Sequence, residues 1–298
     1  MEESYFHIGL HKTGTTYLQR AVFPRLKDIN YISQEKIAWI LRSIATHDPL
    51  IFDCQTVRQR LRNCFRMGKN LISAESLSGN PFLQYMNRSY ILNKIHGMFP
   101  KAKIVICIRS QVEILVSLYK QFVKMGGTKR FSELIEPIKD LRGPQYDYLS
   151  LKMFRYSLYL RKIEEYFGSG NMHVCVYENL VKDADRFLLN LLSFMDVEIV
   201  PQFSSKRENV SPHDSELYIH LVLNRFFQSP RNVCGIPKPP RGYPFLCRLL
   251  SRFTSKKHDW LIPAELKKEL RSYYREDNEL IDVRYDLGLQ RDHRQEYF

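Results

Sequence analysis

Four short apolar runs, separated by longer stretches of mixed polarity, set the pattern of this chain. They cover residues 5–9, 70–73, 103–108 and 172–177, and each has the length of a β-strand. The run from Ile104 to Ile108 is continuously apolar and rich in β-branched residues, which is typical of a strand buried on both faces. The pattern therefore predicts four strands, with Lys103–Ile108 in the interior of a sheet.

Between and after these runs, apolar residues recur with helical spacing. The segments with this spacing are 15–26, 111–124, 151–167, 185–195, 214–227 and 263–281. Strands that alternate with helices predict an α/β fold with a parallel sheet and right-handed crossovers. In such a sheet, ligands bind at the carboxyl ends of the strands. A chain of 298 residues has the length of one sizeable domain, and we expect a single domain over 1–298.

The first motif with clear chemistry follows the first strand and reads His11-Lys12-Thr13-Gly14-Thr15-Thr16. A tight loop that enters a helix directs several backbone N–H groups at one point, and the helix dipole favours an anion there. Lys12 adds a mobile positive charge, and Thr15 and Thr16 add hydroxyl donors. The motif predicts a phosphate-binding loop; the alternative is a turn before an ordinary helix.

The order of residues in this loop differs from that of a Walker A loop. There the lysine follows the second glycine, whereas Lys12 precedes Gly14. The buried third strand ends in Arg109 rather than in an acidic residue that could hold Mg²⁺. Both features disfavour a metal-dependent nucleotide kinase, and no metal site is expected.

A second motif begins at Arg109, at the end of the third strand, and continues into a helix that carries Ser117. Arginine binds a phosphate bidentately, and serine can donate a further hydrogen bond. The alternative is a surface arginine and a helix serine with no joint role.

Together the two motifs resemble the sulfotransferase family that uses 3′-phosphoadenosine 5′-phosphosulfate (PAPS). The resemblance implies a P-loop-like, three-layer fold with a central parallel sheet flanked by helices. It implies that the 5′-phosphosulfate of PAPS, the co-substrate, is bound by Lys12, Thr13, Gly14, Thr15 and Thr16. The product of the donor is then adenosine 3′,5′-bisphosphate (PAP).

The same resemblance implies that Arg109 and Ser117, eight positions apart, hold the 3′-phosphate. The segment 174–180 resembles the family's strand that ends in Tyr-Glu-Asp/Asn-Leu, which makes Tyr177 a neighbour of the adenine. Arg207, in Arg207-Glu208-Asn209, resembles a late loop near the nucleotide that is common in bacterial members. The late RKG-type loop of the cytosolic small-molecule enzymes is absent from the sequence, so their acceptor preferences do not carry over.

Sulfuryl transfer to a hydroxyl requires a general base. Glu75 follows the second predicted strand and should reach the same sheet edge as Lys12. Glycan-directed family members commonly use a glutamate. The alternatives are a glutamate that only orders its loop or pairs with an arginine or a lysine, and His11 as the base. Lys12 has a second expected role, which is to neutralise charge on the leaving phosphate oxygen.

The formal net charge of +13 favours an anionic ligand or simply solubility. Residues 228–258 contain seven arginines and lysines, no acidic residue and five prolines, and they predict an irregular basic excursion. It could recognise an acidic glycan through its charges and through Tyr243, Phe245 and Phe253, or it could be a solvated loop. Apart from net charge, nothing indicates a nucleic-acid partner.

Six scattered cysteines without a CxxC pair predict neither a zinc site nor required disulfides. Since the sequence shows neither a signal peptide nor a run of about 20 apolar residues, we expect a cytoplasmic protein. The leading hypothesis is a PAPS-dependent sulfotransferase with a hydroxyl acceptor, on a glycan, a glycolipid or another small molecule. The alternatives are a nucleotide-dependent small-molecule kinase and a non-catalytic basic module that binds nucleotides or anions. The sequence leaves the oligomeric state open.

Overall fold

A computed structural model describes residues 2–135, 149–197, 214–227, 242–251 and 262–298. Within them, five parallel strands form one sheet in the order β2-β3-β1-β4-β5. The strands are β1 Glu2–His7, β2 Ile29–Ile32, β3 Gly68–Ser73, β4 Lys103–Ile108 and β5 Met172–Val176. The parallel α/β fold expected from the sequence is confirmed.

The sheet has a buried layer on each face, as the alternation of side chains along a strand requires. On one face, Phe6 and Ile104 join a large core cluster. On the other, Tyr5 and Val105 pack in a smaller cluster with Leu188. Helices cover both layers, which gives the three-layer architecture that the family resemblance implies.

Fourteen α-helices lie in the described ranges. They are α1 Thr15–Tyr17, α2 Ala38–Thr46, α3 Cys54–Arg62, α4 Arg88–Met98, α5 Gln111–Lys124, α6 Phe131–Leu134, α7 Tyr156–Phe167, α8 Tyr177–Lys182, α9 Ala184–Phe194, α10 Asp214–Leu223, α11 Tyr243–Ser251, α12 Ala264–Tyr285, α13 Leu289–Asp292 and α14 Arg294–Tyr297. None of them is long and apolar enough to cross a membrane.

The order of the strands fixes where a ligand binds. The chain places β2 and β3 on one side of β1 and then β4 and β5 on the other. Loops that leave β1 and β4 at their carboxyl ends therefore diverge, and a crevice opens between them at this topological switch point. The loop that starts at Leu10 and the turn at Arg109 both lie there.

The structure corrects three predictions. The four-residue edge strand β2 was not expected. The predicted helix over 15–26 is wound irregularly: α1 continues as a π-helix over Leu18–Val22 and a 3-10 turn over Phe23–Arg25, where Pro24 stands. The expected irregular excursion over 228–258 is wrong at Tyr243–Ser251, which is helical; the rest of that stretch, apart from Gly242, lies outside the described residues.

A smaller difference concerns one helix end. The predicted helix over 151–167 begins as a 3-10 turn, Leu151–Phe154, and α7 starts only at Tyr156. The remaining 3-10 turns are Glu75–Ser78, Pro81–Leu83 and Ser169–Asn171. Cys107 and Cys175 are buried, as expected, and the described cysteines are free thiols.

Candidate functional site

The loop after β1 is held in a shape that ordinary residues rarely adopt. Lys12 has a φ of 70°, and Gly14, the N-cap of α1, has a φ of 83°. The Thr13 hydroxyl closes the loop by donating to the Leu10 carbonyl oxygen at 2.6 Å. A Cβ atom at Gly14 would lie 2.8 Å from Leu180 Cδ2, so only glycine fits both the conformation and the space.

Two buried polar atoms at this site have no hydrogen-bond partner among the described residues. They are the hydroxyl oxygen of Thr15 and Nε of Arg109. Buried polar groups are normally satisfied, because an unpaired donor costs about 1–3 kcal/mol. Both atoms belong to motifs that the sequence assigned to phosphate groups, and a bound anion would satisfy them. The residues present therefore fit the phosphates of a nucleotide.

Arg109 connects the ends of three strands. Its Nη1 donates to the Lys12 carbonyl oxygen at 3.0 Å, which ties the turn after β4 to the loop after β1. Its guanidinium lies 4.6 Å from the ring centroid of Tyr177, at the end of β5. Glu113, one helical turn on, lies 3.8 Å from Nη2. The arginine is thus placed in the crevice with one face against an aromatic ring.

Ser117 lies on α5, half-buried, about 9 Å along the helix from its first residue. Helix α5 has the bounds predicted from the sequence, Gln111–Lys124. The structure thus places Arg109 before the helix and Ser117 within it, as the second motif requires. Thr16, like Lys12, is half-buried in the loop region.

Glu75 lies just after β3, in a 3-10 turn, and its electrostatics couple it to Lys12. Burial raises the pKa of the Glu75 carboxyl, and the positive charge of Lys12 offsets part of this rise. Burial likewise lowers the pKa of Lys12, against the opposing effect of Glu75. The expectation that Glu75 reaches the sheet edge of Lys12 is consistent with this coupling.

His11 occupies a different environment. Its Nδ1 is buried without a partner, and its ring centroid lies 6.4 Å from that of Tyr85. Burial, with the charges of Lys12 and Arg88, lowers its pKa to about 4. The imidazole is therefore neutral at physiological pH, and it is a weak acceptor for a proton that must be held as a positive charge.

Arg88, the first residue of α4, fixes the segment that carries Glu75. Its Nε donates to the Ser78 carbonyl oxygen at 3.0 Å, and its Nη1 donates to the Met153 carbonyl oxygen at 3.1 Å. The guanidinium is packed between the rings of Tyr85 and Tyr159, 3.7 and 4.1 Å from their centroids. A buried arginine thereby joins the turn after β3 to the chain before α7.

Comparison with known proteins identifies the family. The family model described as "Sulfotransferase domain" matches residues 3–218, more than two thirds of the chain. The chain belongs to the sulfotransferase family. It is a PAPS-dependent enzyme, as the two motifs led us to expect, and the kinase alternative loses its basis. No curated protein matches the sequence significantly.

A solved sulfotransferase shares the fold, and two more solved sulfotransferases align with most of the chain at lower TM-scores. A sulfotransferase from Alicyclobacillus acidocaldarius is 16% identical with a TM-score of 0.57, and the match covers 96% of each chain. Mouse sulfotransferase SULT7A1 complexed with PAP is 14% identical with a TM-score of 0.47, over 94% of this chain and 85% of that one. The sulfotransferase domain from the curacin biosynthetic pathway is 12% identical with a TM-score of 0.44, over 96% and 99%.

The crevice brings together some of the residues that the sequence singled out. Arg109 contacts both Lys12 and Tyr177, and Gly14 lies against Tyr177. Arg207 lies outside the described residues. Sequence reasoning gave no role to Arg88, because the carbonyl oxygens that it bonds belong to residues distant from it in the sequence. No group of three or more His, Cys, Asp or Glu able to hold a metal occurs in the described ranges.

Proposed function

We propose that this sulfotransferase transfers the sulfuryl group of PAPS to a hydroxyl group on a glycan or a glycolipid. The observation that carries the donor site is the convergence of Arg109, Lys12 and Tyr177 at the switch point of the sheet. Lys12 to Thr16 bind the 5′-phosphosulfate, Arg109 and Ser117 bind the 3′-phosphate, and Tyr177 packs beside the adenine. Arg207 is proposed as a further nucleotide contact from its motif alone.

The donor, when bound, supplies an activated sulfuryl group and a 5′-phosphate leaving group. The Lys12 ammonium neutralises charge at the leaving oxygen, where a fixed positive charge is most effective in a partly dehydrated site. Thr15 donates its otherwise unpaired hydroxyl to the same group.

Glu75 is proposed as the base that takes the proton of the acceptor hydroxyl on a carboxylate oxygen. Its raised pKa makes it a stronger base than an exposed glutamate, while the charge of Lys12 favours its ionised form. His11 is the second candidate, but a pKa lowered to about 4 weakens its claim. The coupling between Glu75 and Lys12 also sets the base near the loop that binds the sulfuryl group.

The acceptor class is proposed from charge and aromatic residues. The basic stretch 228–258 suits an acidic sugar. Within its described part, Phe245 exposes 70% of its surface and remains a candidate for stacking on a sugar. Tyr243 does not, because it is buried and donates its hydroxyl to Asn224 Oδ1 at 2.9 Å. Phe253 lies outside the described residues, and a cytoplasmic location stays a prediction.

Two measurements test the proposal. Isothermal titration should show PAP binding in the presence of EDTA, and Lys12→Ala should weaken it. An acceptor screen with radiolabelled donor should then label uronate-bearing or partly sulfated glycans, or glycolipids, in preference to simple phenols and amines. Labelling of phenols or amines in place of any glycan or glycolipid would overturn the proposed acceptor class, and unchanged PAP affinity in Lys12→Ala would overturn the proposed role of Lys12.

A further inference from the structure

A half-buried carboxylate, that of Glu178, links the turn at Arg109 to helix α14. Its Oε1 accepts a hydrogen bond from the backbone N–H of Ser110 at 3.0 Å. Its Oε2 accepts one from the Tyr297 hydroxyl at 2.9 Å. Tyr297 is almost wholly buried, so its phenol has little access to water as an alternative partner. One side chain thus connects the end of β4, the start of α8 and helix α14.

Further bonds from α12 and α14 to the residues after Arg109 support this link. The Ser110 hydroxyl donates to the Glu296 carbonyl oxygen at 2.8 Å. The Gln111 amide donates to Asn278 Oδ1 at 2.6 Å, and the Asn278 amide donates to the Tyr297 carbonyl oxygen at 3.0 Å. Gln111 and Asn278 are buried. The turn that follows Arg109 is therefore held from two sides by the C-terminal segment.

These hydrogen bonds orient the backbone from which the Arg109 side chain extends. Arg109 lies immediately before Ser110, whose N–H and hydroxyl are both fixed, and its own carbonyl oxygen accepts from the Tyr156 hydroxyl at 2.5 Å. Tyr177, the ring beneath its guanidinium, immediately precedes Glu178. A guanidinium that is held before the ligand arrives loses less conformational entropy on binding.

We infer that Glu178 and Tyr297 are positioning residues that hold Arg109 for the 3′-phosphate, so that the C-terminal segment sets the selectivity of the enzyme for a 3′-phosphorylated nucleotide. This inference rests on the proposed role of Arg109 in the donor site. We call the pair Glu178 and Tyr297 the clasp. Ser110, which Glu178 bonds, connects the clasp to Arg109. Neither clasp residue contacts the nucleotide in this scheme; each acts through the Arg109 turn.

The clasp is tested by comparing two nucleotides that differ only in the 3′-phosphate, PAP and adenosine 5′-monophosphate (AMP). In Tyr297→Phe, which removes one hydroxyl, PAP affinity should fall about tenfold, as for loss of one hydrogen bond to a charged group. AMP affinity should stay within about twofold, since the loop at Lys12 is untouched. In turnover, the donor KM should rise while kcat changes little. Tyr285→Phe is the matched control, because Tyr285, at the end of α12, donates its hydroxyl to Glu164 on α7 rather than to Glu178.

The outcomes separate the clasp from the donor assignment. Equal losses of PAP and AMP affinity in Tyr297→Phe would show a general structural role and overturn the clasp, as would unchanged PAP affinity. If wild-type protein binds PAP and AMP equally well, the 3′-phosphate assignment itself fails, and the clasp fails with it. Should Tyr297→Phe not fold, Ser110→Ala removes only the bond to Glu296, and the same selective loss of PAP affinity is expected.

Discussion

Arg109 donates its Nη1 hydrogen to the backbone carbonyl oxygen of Lys12 across 3.0 Å, which joins the two donor motifs directly. The two residues are 97 positions apart in the sequence. The same guanidinium packs against Tyr177, so both its N–H groups and its planar face make contacts within the protein. A lysine can reproduce the charge of Arg109 but neither of these contacts.

We therefore expect Arg109→Lys to weaken PAP binding about 10- to 100-fold, measured by isothermal titration. Arg62→Lys is the control, since Arg62 is exposed and lies 3.9 Å from Glu2 at the opposite end of β1. If the PAP affinity of Arg109→Lys stays within twofold of wild type, Arg109 does not bind the 3′-phosphate bidentately.

Gly14 offers a test in which conformation and space are separated. Gly14→Ala should destabilise the protein by about 2–3 kcal/mol, because alanine is strained at a φ of 83° and its Cβ would contact Leu180. In a Leu180→Ala background the contact is absent and only the strained backbone remains, so Gly14→Ala should there cost only about 1 kcal/mol. Urea unfolding gives both values, and equal costs would show that Leu180 yields without penalty.

The base can be identified from the pH dependence of turnover. A carboxylate base is active when ionised, so kcat should fall as the pH drops through the Glu75 pKa, which burial holds above its usual value of 4.5. In Glu75→Gln, kcat should fall about 10²- to 10⁴-fold and this limb should vanish, with PAP affinity nearly intact. An unchanged kcat excludes Glu75. A large loss of kcat in His11→Gln beside normal turnover in Glu75→Gln would assign the base to His11.

Removal of the Asp277 carboxylate should lower the stability of the protein substantially. This buried carboxylate accepts hydrogen bonds from the Tyr156 N–H at 2.7 Å and from the Ser157 hydroxyl at 2.5 Å, at the start of α7. Asp277→Ala leaves buried donors unpaired and should cost about 2–4 kcal/mol. Asp183 caps α9 at an exposed position, and Asp183→Ala should cost about 1 kcal/mol. Similar costs for the two variants in thermal unfolding would contradict the buried role.

Sequence reasoning succeeded where local pattern decides the structure. The bounds of α5 and of β4 follow from apolar periodicity alone, whereas the donor role of the loop after β1 stays a prediction. The edge strand Ile29–Ile32 was missed because it is only four residues long and contains Asn30, whose polar side chain pairs with Asn70. The link from Glu178 to Tyr297 spans 119 positions, and no local pattern reports such a contact.

The contacts of Arg88 have a consequence for how kinetic data from this enzyme are interpreted. The guanidinium lies against two tyrosine rings and bonds two carbonyl oxygens from separate segments. The junction it makes between Ser78 and Met153 therefore restrains the turn that bears Glu75. A change of turnover in a Glu75 variant then reports the loss of the carboxyl group itself rather than movement of the segment that carries it.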